Sequence, residues 1–212
     1  MSEEPEEPLL ALRAVMARLR AECPWKAEQT HRSLQRYLLE EAYETLEAID
    51  RLEAPGAGSA ADREEHLAEE LGDLLLQVYF HAAVAAERGA FDVDDVARGI
   101  TEKMVRRNPH VFGAEEAGDA AAVDERWQQI KAAEKQRRRQ VDDGVPSALP
   151  ALLYADKLLD RLERAGTPVE VDAGSADLGE QLLALVERGR ADGVDAEQAL
   201  RDAVRRRITS SS

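Results

Sequence analysis

Apolar residues recur every three or four positions over the first half of the chain, a spacing that predicts amphipathic helices. A first helix is expected from about Pro8 to Arg20, where Cys23-Pro24-Trp25 should break it. A second helix is expected to begin at Ser33 as its N-cap and to carry an apolar stripe from Leu34 to Leu52. Strand signals are weak throughout, because β-branched runs and strict alternation of polar and apolar residues are absent.

Three further helices follow from the same pattern. One is predicted over about 62–88 and ended by Gly89, and the next runs from Asp92, its N-cap, to Arg107. Asn108-Pro109 should stop that helix, and another is expected over roughly 120–139. Successive helices with short connections predict an all-α fold, a helical bundle.

The last third of the chain is predicted to be a second, degenerate unit. A linker at 142–146 precedes it, and Leu71-Gly72-Asp73-Leu74-Leu75-Leu76 has a faint echo in Leu178-Gly179-Glu180-Gln181-Leu182-Leu183. We therefore expect an intact unit over residues 1–140 and a degenerate helical segment over residues 141–212.

Composition and net charge argue against several classes of protein. The 212 residues include 43 Asp and Glu against 28 Lys and Arg, and a net charge of -15 disfavours nucleic-acid binding. No apolar run approaches the roughly 20 residues that span a bilayer. The acidic N-terminus lacks the basic region of a secretory signal, and one cysteine, Cys23, forms neither an intrachain disulfide nor a metal cluster. We expect a soluble cytoplasmic protein that binds no nucleic acid and no membrane.

Two acidic pairs are the most informative feature of the sequence. Glu41 and Glu44 are spaced i,i+3 beside the apolar stripe of the second helix, and Glu70 and Asp73 repeat this on the third. If the two helices pack antiparallel, four carboxylates converge, and a hard divalent cation, Mg²⁺ or Mn²⁺, would offset their repulsion. The alternative is a pair of solvated acidic faces, the usual state of charge runs.

Basic and aromatic residues follow at helical spacing. Lys103 and Arg107 are i,i+4 on the fourth helix, as are Trp127 and Lys131 on the fifth. Cations suit phosphate oxygens, and an aromatic ring suits a nucleobase. The alternatives are a helix C-terminus that favours positive charge and a half-buried core tryptophan.

Several motifs occur together in a fixed order. They are Cys23-Pro24-Trp25, Glu28-Gln29-Thr30-His31, Tyr37-Leu38-Leu39-Glu40-Glu41-Ala42-Tyr43-Glu44, Glu70-Leu71-Gly72-Asp73-Leu74-Leu75, Arg106-Arg107-Asn108-Pro109-His110-Val111-Phe112 and Trp127-Gln128-Gln129-Ile130-Lys131. Over about residues 9–135, the chain resembles the MazG family of nucleoside triphosphate pyrophosphohydrolases. The resemblance implies an all-α, Mg²⁺-dependent homodimer or higher homo-oligomer that cleaves a nucleoside triphosphate, NTP or dNTP, between the α and β phosphates. The products would be a nucleoside monophosphate and pyrophosphate, and Mn²⁺ is a possible substitute ion.

The resemblance also implies roles for individual residues. Four acids would hold the metal: Glu41, Glu44, Glu70 and Asp73. Four other residues would bind the substrate: Lys103, Arg107, Trp127 and Lys131. Glu40 would position or activate the attacking water. A house-cleaning role in the nucleotide pool is compatible with such chemistry.

Two positions depart from the family pattern. Lys26 stands where family members usually have an acidic residue after Cys-Pro-Trp. The second unit offers only Asp177-x-x-Glu180 in place of the two acidic pairs, so we expect it to bind no metal and to be catalytically silent.

Three other interpretations compete with this one. A ferritin-type di-iron bundle needs two Glu-x-x-His motifs, and only Glu28-x-x-His31 fits. A phosphoribosyl-ATP pyrophosphohydrolase would share the acidic pattern but not the Cys-Pro-Trp and Asn-Pro-His-Val-Phe motifs. A non-enzymatic helical dimerisation or interaction protein would keep the apolar stripes without needing the four acids.

Overall fold

The chain is helical, as predicted. The computed structural model describes residues 7–53, 58–113, 119, 122–123, 126–130 and 143–209, and these residues contain no β-strand. They fall into two compact units, Met1–Trp127 and Gln128–Ser212. The predicted boundary between residues 140 and 141 lies within 131–142, outside the described residues. Across the part of the chain that is described, no helix is long and apolar enough to cross a membrane.

The first unit is built around two long helices. Its helices are α1 Pro8–Glu22, α2 Pro24–Glu28, α3 His31–Glu53, α4 Ala60–Ala86, α5 Val93–Arg107 and α6 Pro109–Phe112. Residues 126–130 are also helical. α3 and α4 run antiparallel and form the most extensive helix pair of the unit.

The helix starts follow from local capping. Thr30 caps α3: its Oγ1 accepts a hydrogen bond from the Ser33 amide at 3.1 Å, and Ser33 Oγ accepts one from the Thr30 amide at 2.9 Å. The prediction of Ser33 as N-cap is therefore wrong, since Ser33 is the third helical residue. Ser59 caps α4, and the predicted cap of α5 at Asp92 is confirmed.

The core lies where α1, α3 and α4 meet. Met16 and Leu34 are buried against Phe80 and Val84 of α4. Arg20 is also buried, and all three of its guanidinium nitrogens find partners. Nε and Nη2 each donate to the Glu87 carboxylate at 2.6 Å, and Nη1 donates to the Gln29 carbonyl at 3.1 Å and to the Lys26 carbonyl. A buried guanidinium needs such a bidentate acceptor.

Over residues 143–209, the second unit contains three helices, α7 Ala151–Arg164, α8 Leu178–Ala191 and α9 Ala196–Thr209. Arg190 of α8 joins α7, where it donates to Asp156 Oδ1 and Glu163 Oε2, each at 3.0 Å. Asp177 caps α8 by accepting a hydrogen bond from the Glu180 amide at 3.0 Å. This carboxylate of the weak acidic motif therefore serves as a helix cap.

Candidate metal centre

The antiparallel packing of α3 and α4 brings three glutamates together. One carboxylate oxygen from each of Glu41, Glu44 and Glu70 lies within 4.8 Å of the others. The register of the two helices is marked by Thr45, whose hydroxyl donates to the Glu41 carbonyl at 2.8 Å and lies 3.4 Å from the Glu70 carbonyl. We call Glu41, Glu44 and Glu70 the carboxylate cluster.

Glu41 sits at the electrostatic centre of this cluster. Its pKa is raised above the ordinary 4.5, first by burial and then by the negative charge of Asp73. The charges of Glu44 and Glu70, together with a hydrogen bond to Glu44, act in the same direction. Asp73 lies outside the group of converging ligand atoms, but its field reaches Glu41. The four predicted acids therefore share one electrostatic neighbourhood, in which like charges oppose ionisation.

Glu40 faces a different direction from its neighbour Glu41. Successive residues of a helix are about 100° apart around the axis, and Glu40 forms an exposed i,i+4 ion pair with Arg36 at 3.6 Å. Glu40 is adjacent to Glu41 in sequence, but its carboxylate is not one of the three that converge.

A set of side chains not predicted from sequence borders Glu70. His66 Nδ1 lies 3.5 Å from Glu70 Oε1, and His66 Nε2 lies 3.2 Å from a nitrogen of Arg51. Arg51 also donates to Glu47 Oε1 at 2.5 Å. The i,i+4 spacings within each helix were visible in the sequence, but the contact between Arg51 and His66 depends on the α3–α4 register.

The predicted phosphate and base residues lie on other elements. Arg107, near the end of α5, is buried, and its guanidinium carbon lies 5.2 Å from the centroid of the Trp127 ring. Lys103 precedes Arg107 by one helical turn on the same face and is partly exposed. Trp127 is half-buried, and Lys131 lies outside the described residues.

The structure explains how the helix after Cys23 accommodates its lysine. Trp25 packs edge-on against Tyr37 and Phe80, with ring centroids 5.9 and 6.5 Å apart. Lys26 Nζ lies 5.3 Å from the Trp25 ring and 5.4 Å from the Phe80 ring. A cation over aromatic faces is favourable, so a positive charge fits where the family pattern has an acid.

The chain is similar in sequence to one family model and to several known proteins. The family model of the MazG nucleotide pyrophosphohydrolase domain matches residues 29–112. The uncharacterized 26.1 kDa protein of the blaB 3′ region in Streptomyces cacaoi is 44% identical over 201 residues, 94% of this chain and 79% of that protein. The nucleoside triphosphate pyrophosphohydrolase/pyrophosphatase MazG of Thermotoga maritima is 36% identical over 221 residues, 91% of this chain and 80% of that protein.

The nucleoside triphosphate pyrophosphohydrolase of Escherichia coli K12 is 41% identical over 160 residues. The match covers 73% of this chain but only 57% of the E. coli protein, so the chain spans little more than half of that relative's length.

Proposed function

The chain belongs to the MazG nucleotide pyrophosphohydrolase family, and on that premise we propose that it hydrolyses nucleoside triphosphates to a monophosphate and pyrophosphate in the presence of Mg²⁺. Enzymes of this family are hydrolases that act on an acid anhydride. The observation that carries the proposal is the convergence of Glu41, Glu44 and Glu70 between α3 and α4. A purely structural helix pair has no need for three glutamates within 4.8 Å of one another.

The donor set fits a hard divalent cation. The three converging side chains offer only carboxylate oxygens, and oxygen-only sites suit Mg²⁺ and Mn²⁺ better than softer metals. Burial first, and then the charges of Asp73, Glu44 and Glu70, raise the pKa of Glu41, and a bound cation would offset the repulsion among these charges. We assign Glu41, Glu44 and Glu70 as direct ligands, with Asp73 completing the site. When bound, the ion supplies Lewis-acid polarisation of the phosphoryl oxygens.

The other assigned residues would bind the substrate and orient the water. Lys103 and Arg107 supply fixed positive charge for the phosphates, and Trp127, already packed against Arg107, offers a face for the base. The family resemblance also implies a substrate-binding role for Lys131, which lies outside the described residues. Glu40 is assigned to orient the attacking water, because it is the carboxylate next to the ligands that stays outside the cluster.

We also assign a homodimer or higher homo-oligomer. Six apolar side chains along one side of α3 and α4 are each between 36% and 49% exposed in the single chain: Leu38, Leu46, Ile49, Leu71, Leu75 and Val78. Exposed apolar side chains in this number favour an association site, and a two-fold contact would cover the same residues on both copies. The net charge of -15 favours free nucleotides over nucleic acid as partners, and we place the enzyme in the cytoplasm.

Product analysis tests the reaction. The full chain is incubated with a panel of NTPs, dNTPs and phosphoribosyl-ATP in Mg²⁺, and products are resolved by phosphorus NMR. We expect equal amounts of nucleoside monophosphate and pyrophosphate, and the panel then ranks base and sugar.

Two variants connect the reaction to the cluster. Glu41→Gln removes one ligand charge at nearly constant volume, whereas Glu64→Gln makes the same change at an exposed position of α4 outside the cluster. We expect loss of products in Glu41→Gln alone. A nucleoside diphosphate and orthophosphate as products would contradict the assigned position of cleavage, and equal turnover in the two variants would contradict the role of the cluster. No turnover of any nucleotide would favour a helical interaction protein.

A further inference from the structure

Four side chains form a continuous set of contacts that ends at the carboxylate cluster. Glu47 and Arg51 lie on α3, and His66 and Glu70 lie on α4. The successive separations are 2.5 Å from Arg51 to Glu47, 3.2 Å from Arg51 to His66 Nε2, and 3.5 Å from His66 Nδ1 to Glu70 Oε1. The side chain of Glu70 is only 14% exposed, the lowest exposure of the four.

The chemistry of Arg51 decides where the proton of His66 lies. A guanidinium has only N–H donors and stays protonated, so the atom of His66 that faces it must be a lone-pair acceptor. That atom is Nε2. A neutral imidazole with an acceptor at Nε2 carries its hydrogen on Nδ1, which points that hydrogen at Glu70. A free imidazole side chain favours the opposite tautomer, so the protein selects this one.

We propose that His66 is a positioning residue for Glu70, and that Arg51 fixes it in the Nδ1–H tautomer. The Nδ1–H group then faces Glu70 Oε1 across 3.5 Å and favours the orientation in which the Glu70 carboxylate reaches Glu41 and Glu44. Partners that orient metal-binding carboxylates tune affinity in this way. Glu47 in turn holds Arg51 in place through their ion pair. This inference rests on the proposed metal role of the carboxylate cluster.

The tautomer is measured directly by nitrogen-15 NMR of the imidazole rings in the full chain. Without metal and at an alkaline pH where imidazole is neutral, we expect the His66 ring to carry its hydrogen on Nδ1 and none on Nε2. Arg51→Met removes the donor at similar length, and we expect it to shift His66 towards the Nε2–H form. An Nε2–H tautomer in the unmodified chain, or no change in Arg51→Met, would overturn the role of Arg51.

The positioning role is measured by titrating Mn²⁺ into the protein and following free Mn²⁺ by electron paramagnetic resonance, without nucleotide. His66→Asn places an amide donor where Nδ1 lies, whereas His66→Gln keeps a polar group only near Nε2. We expect His66→Gln to weaken Mn²⁺ binding by about 10-fold, the lower end for such partners. His66→Asn should bind Mn²⁺ nearly as well as the unmodified chain.

Equal Mn²⁺ affinity in all three proteins, or equal weakening in both variants, would overturn the positioning role of His66. Failure of the proposed function has a different signature. If the unmodified chain shows the Nδ1–H tautomer but binds no Mn²⁺, the metal assignment of the cluster is overturned, while the Arg51–His66 pairing stands.

Discussion

At the scale of single residues, Glu41 is the carboxyl group of the cluster whose ionisation is made unfavourable by its surroundings. It lies on the α3 face that packs against α4, and burial together with Asp73, Glu44 and Glu70 raises its pKa. A carboxyl group whose pKa is higher in the folded than in the unfolded chain destabilises the fold once it is ionised. If the cluster is a metal site, as we propose, the chain gives up stability in its metal-free state to keep these carboxylates together, as functional sites often do.

The first prediction concerns this cost. Metal-free Glu41→Gln should unfold with a free energy about 1 kcal/mol higher than the parent at pH 7, a modest gain because the side chain is partly solvated. The gain should shrink as the pH falls through the raised pKa and should vanish below 4.5, the ordinary pKa, where Glu41 is protonated in both states. Urea unfolding at several pH values measures it. A less stable variant at pH 7 would contradict the account.

A histidine pair ties the start of α3 to α4. The Nδ1 atoms of His31 and His81 are 2.8 Å apart in rings that are parallel within 3°. Because 2.8 Å is shorter than the thickness of stacked rings, the two rings lie side by side and share one N–H···N hydrogen bond. Burial, and next the charge of His31, lower the pKa of His81 below 6.5.

The second prediction is a loss of stability in mild acid. Since the folded state disfavours the charged form of His81, unfolding takes up a proton at pH values between the lowered pKa and 6.5. The free energy of unfolding should therefore fall as the pH drops through this window and level off below it. In His81→Gln this pH dependence should diminish, and in His110→Gln it should remain. The same slope in all three proteins would count against the pair.

At the scale of helices, α3 and α4 show what periodicity can and cannot predict. No local pattern divides the apolar stripe of α3 into two parts, yet Leu34 and Thr45 are buried while Leu46 and Ile49 stay nearly half exposed. Periodicity identifies apolar positions but not the surface that covers them. In our proposal the exposed part is covered by a second copy.

The third prediction tests whether a second copy of the chain covers the exposed apolar side chains of α3. Leu46→Lys puts a charge into the exposed stripe and should shift the protein towards monomer in sedimentation velocity. Leu182→Lys makes the same change at an exposed leucine of α8 and should leave the assembly unchanged. A monomeric parent, or an unchanged assembly in Leu46→Lys, would contradict the assigned dimer surface.

Helix boundaries were predictable where capping chemistry is explicit and less so at prolines. The Asp92 cap and the end of α5 at Arg107 are as predicted. Pro24 and Pro109 were interpreted as breaks, yet each stands at the first position of a short helix, α2 or α6. Proline lacks the N–H that the first turn leaves unpaired, so it ends one helix and begins the next.

The candidate site was also predictable only in part. The two acidic pairs were predictable, because i,i+3 spacing fixes a shared helix face without knowledge of the neighbour. The contact of Arg51 with His66 was not, because it joins two helices and depends on a register that no local pattern encodes. Long-range contacts of this kind require the folded structure.

At the scale of the whole molecule, the converging carboxylates of the described residues belong to one of the two units. The carboxylate cluster lies entirely on α3 and α4 of the first unit. In the second unit, Asp177 is engaged as the cap of α8, and Arg190 is engaged with acids of α7. Within the described residues, only the first unit shows converging metal-type ligands.

The fourth prediction follows from this division. A chain that ends after Arg139 should bind Mn²⁺ with the affinity of the full chain, because every assigned ligand lies in the first unit. Electron paramagnetic resonance of free Mn²⁺ compares the two proteins, with circular dichroism to verify that the shorter chain folds. A folded short chain that has lost Mn²⁺ binding would show that the second unit takes part in the site.

Thermal unfolding with and without Mg²⁺ tests the central claim most directly, namely that the carboxylate cluster holds a divalent cation. Binding to the folded state alone stabilises it by about 2.7 kcal/mol at 100 times the dissociation constant. The account predicts that Mg²⁺ raises the Tm of the parent and of Glu64→Gln, while Glu41→Gln starts higher and responds little. A parent Tm that ignores Mg²⁺, or an equal rise in Glu41→Gln, would contradict it.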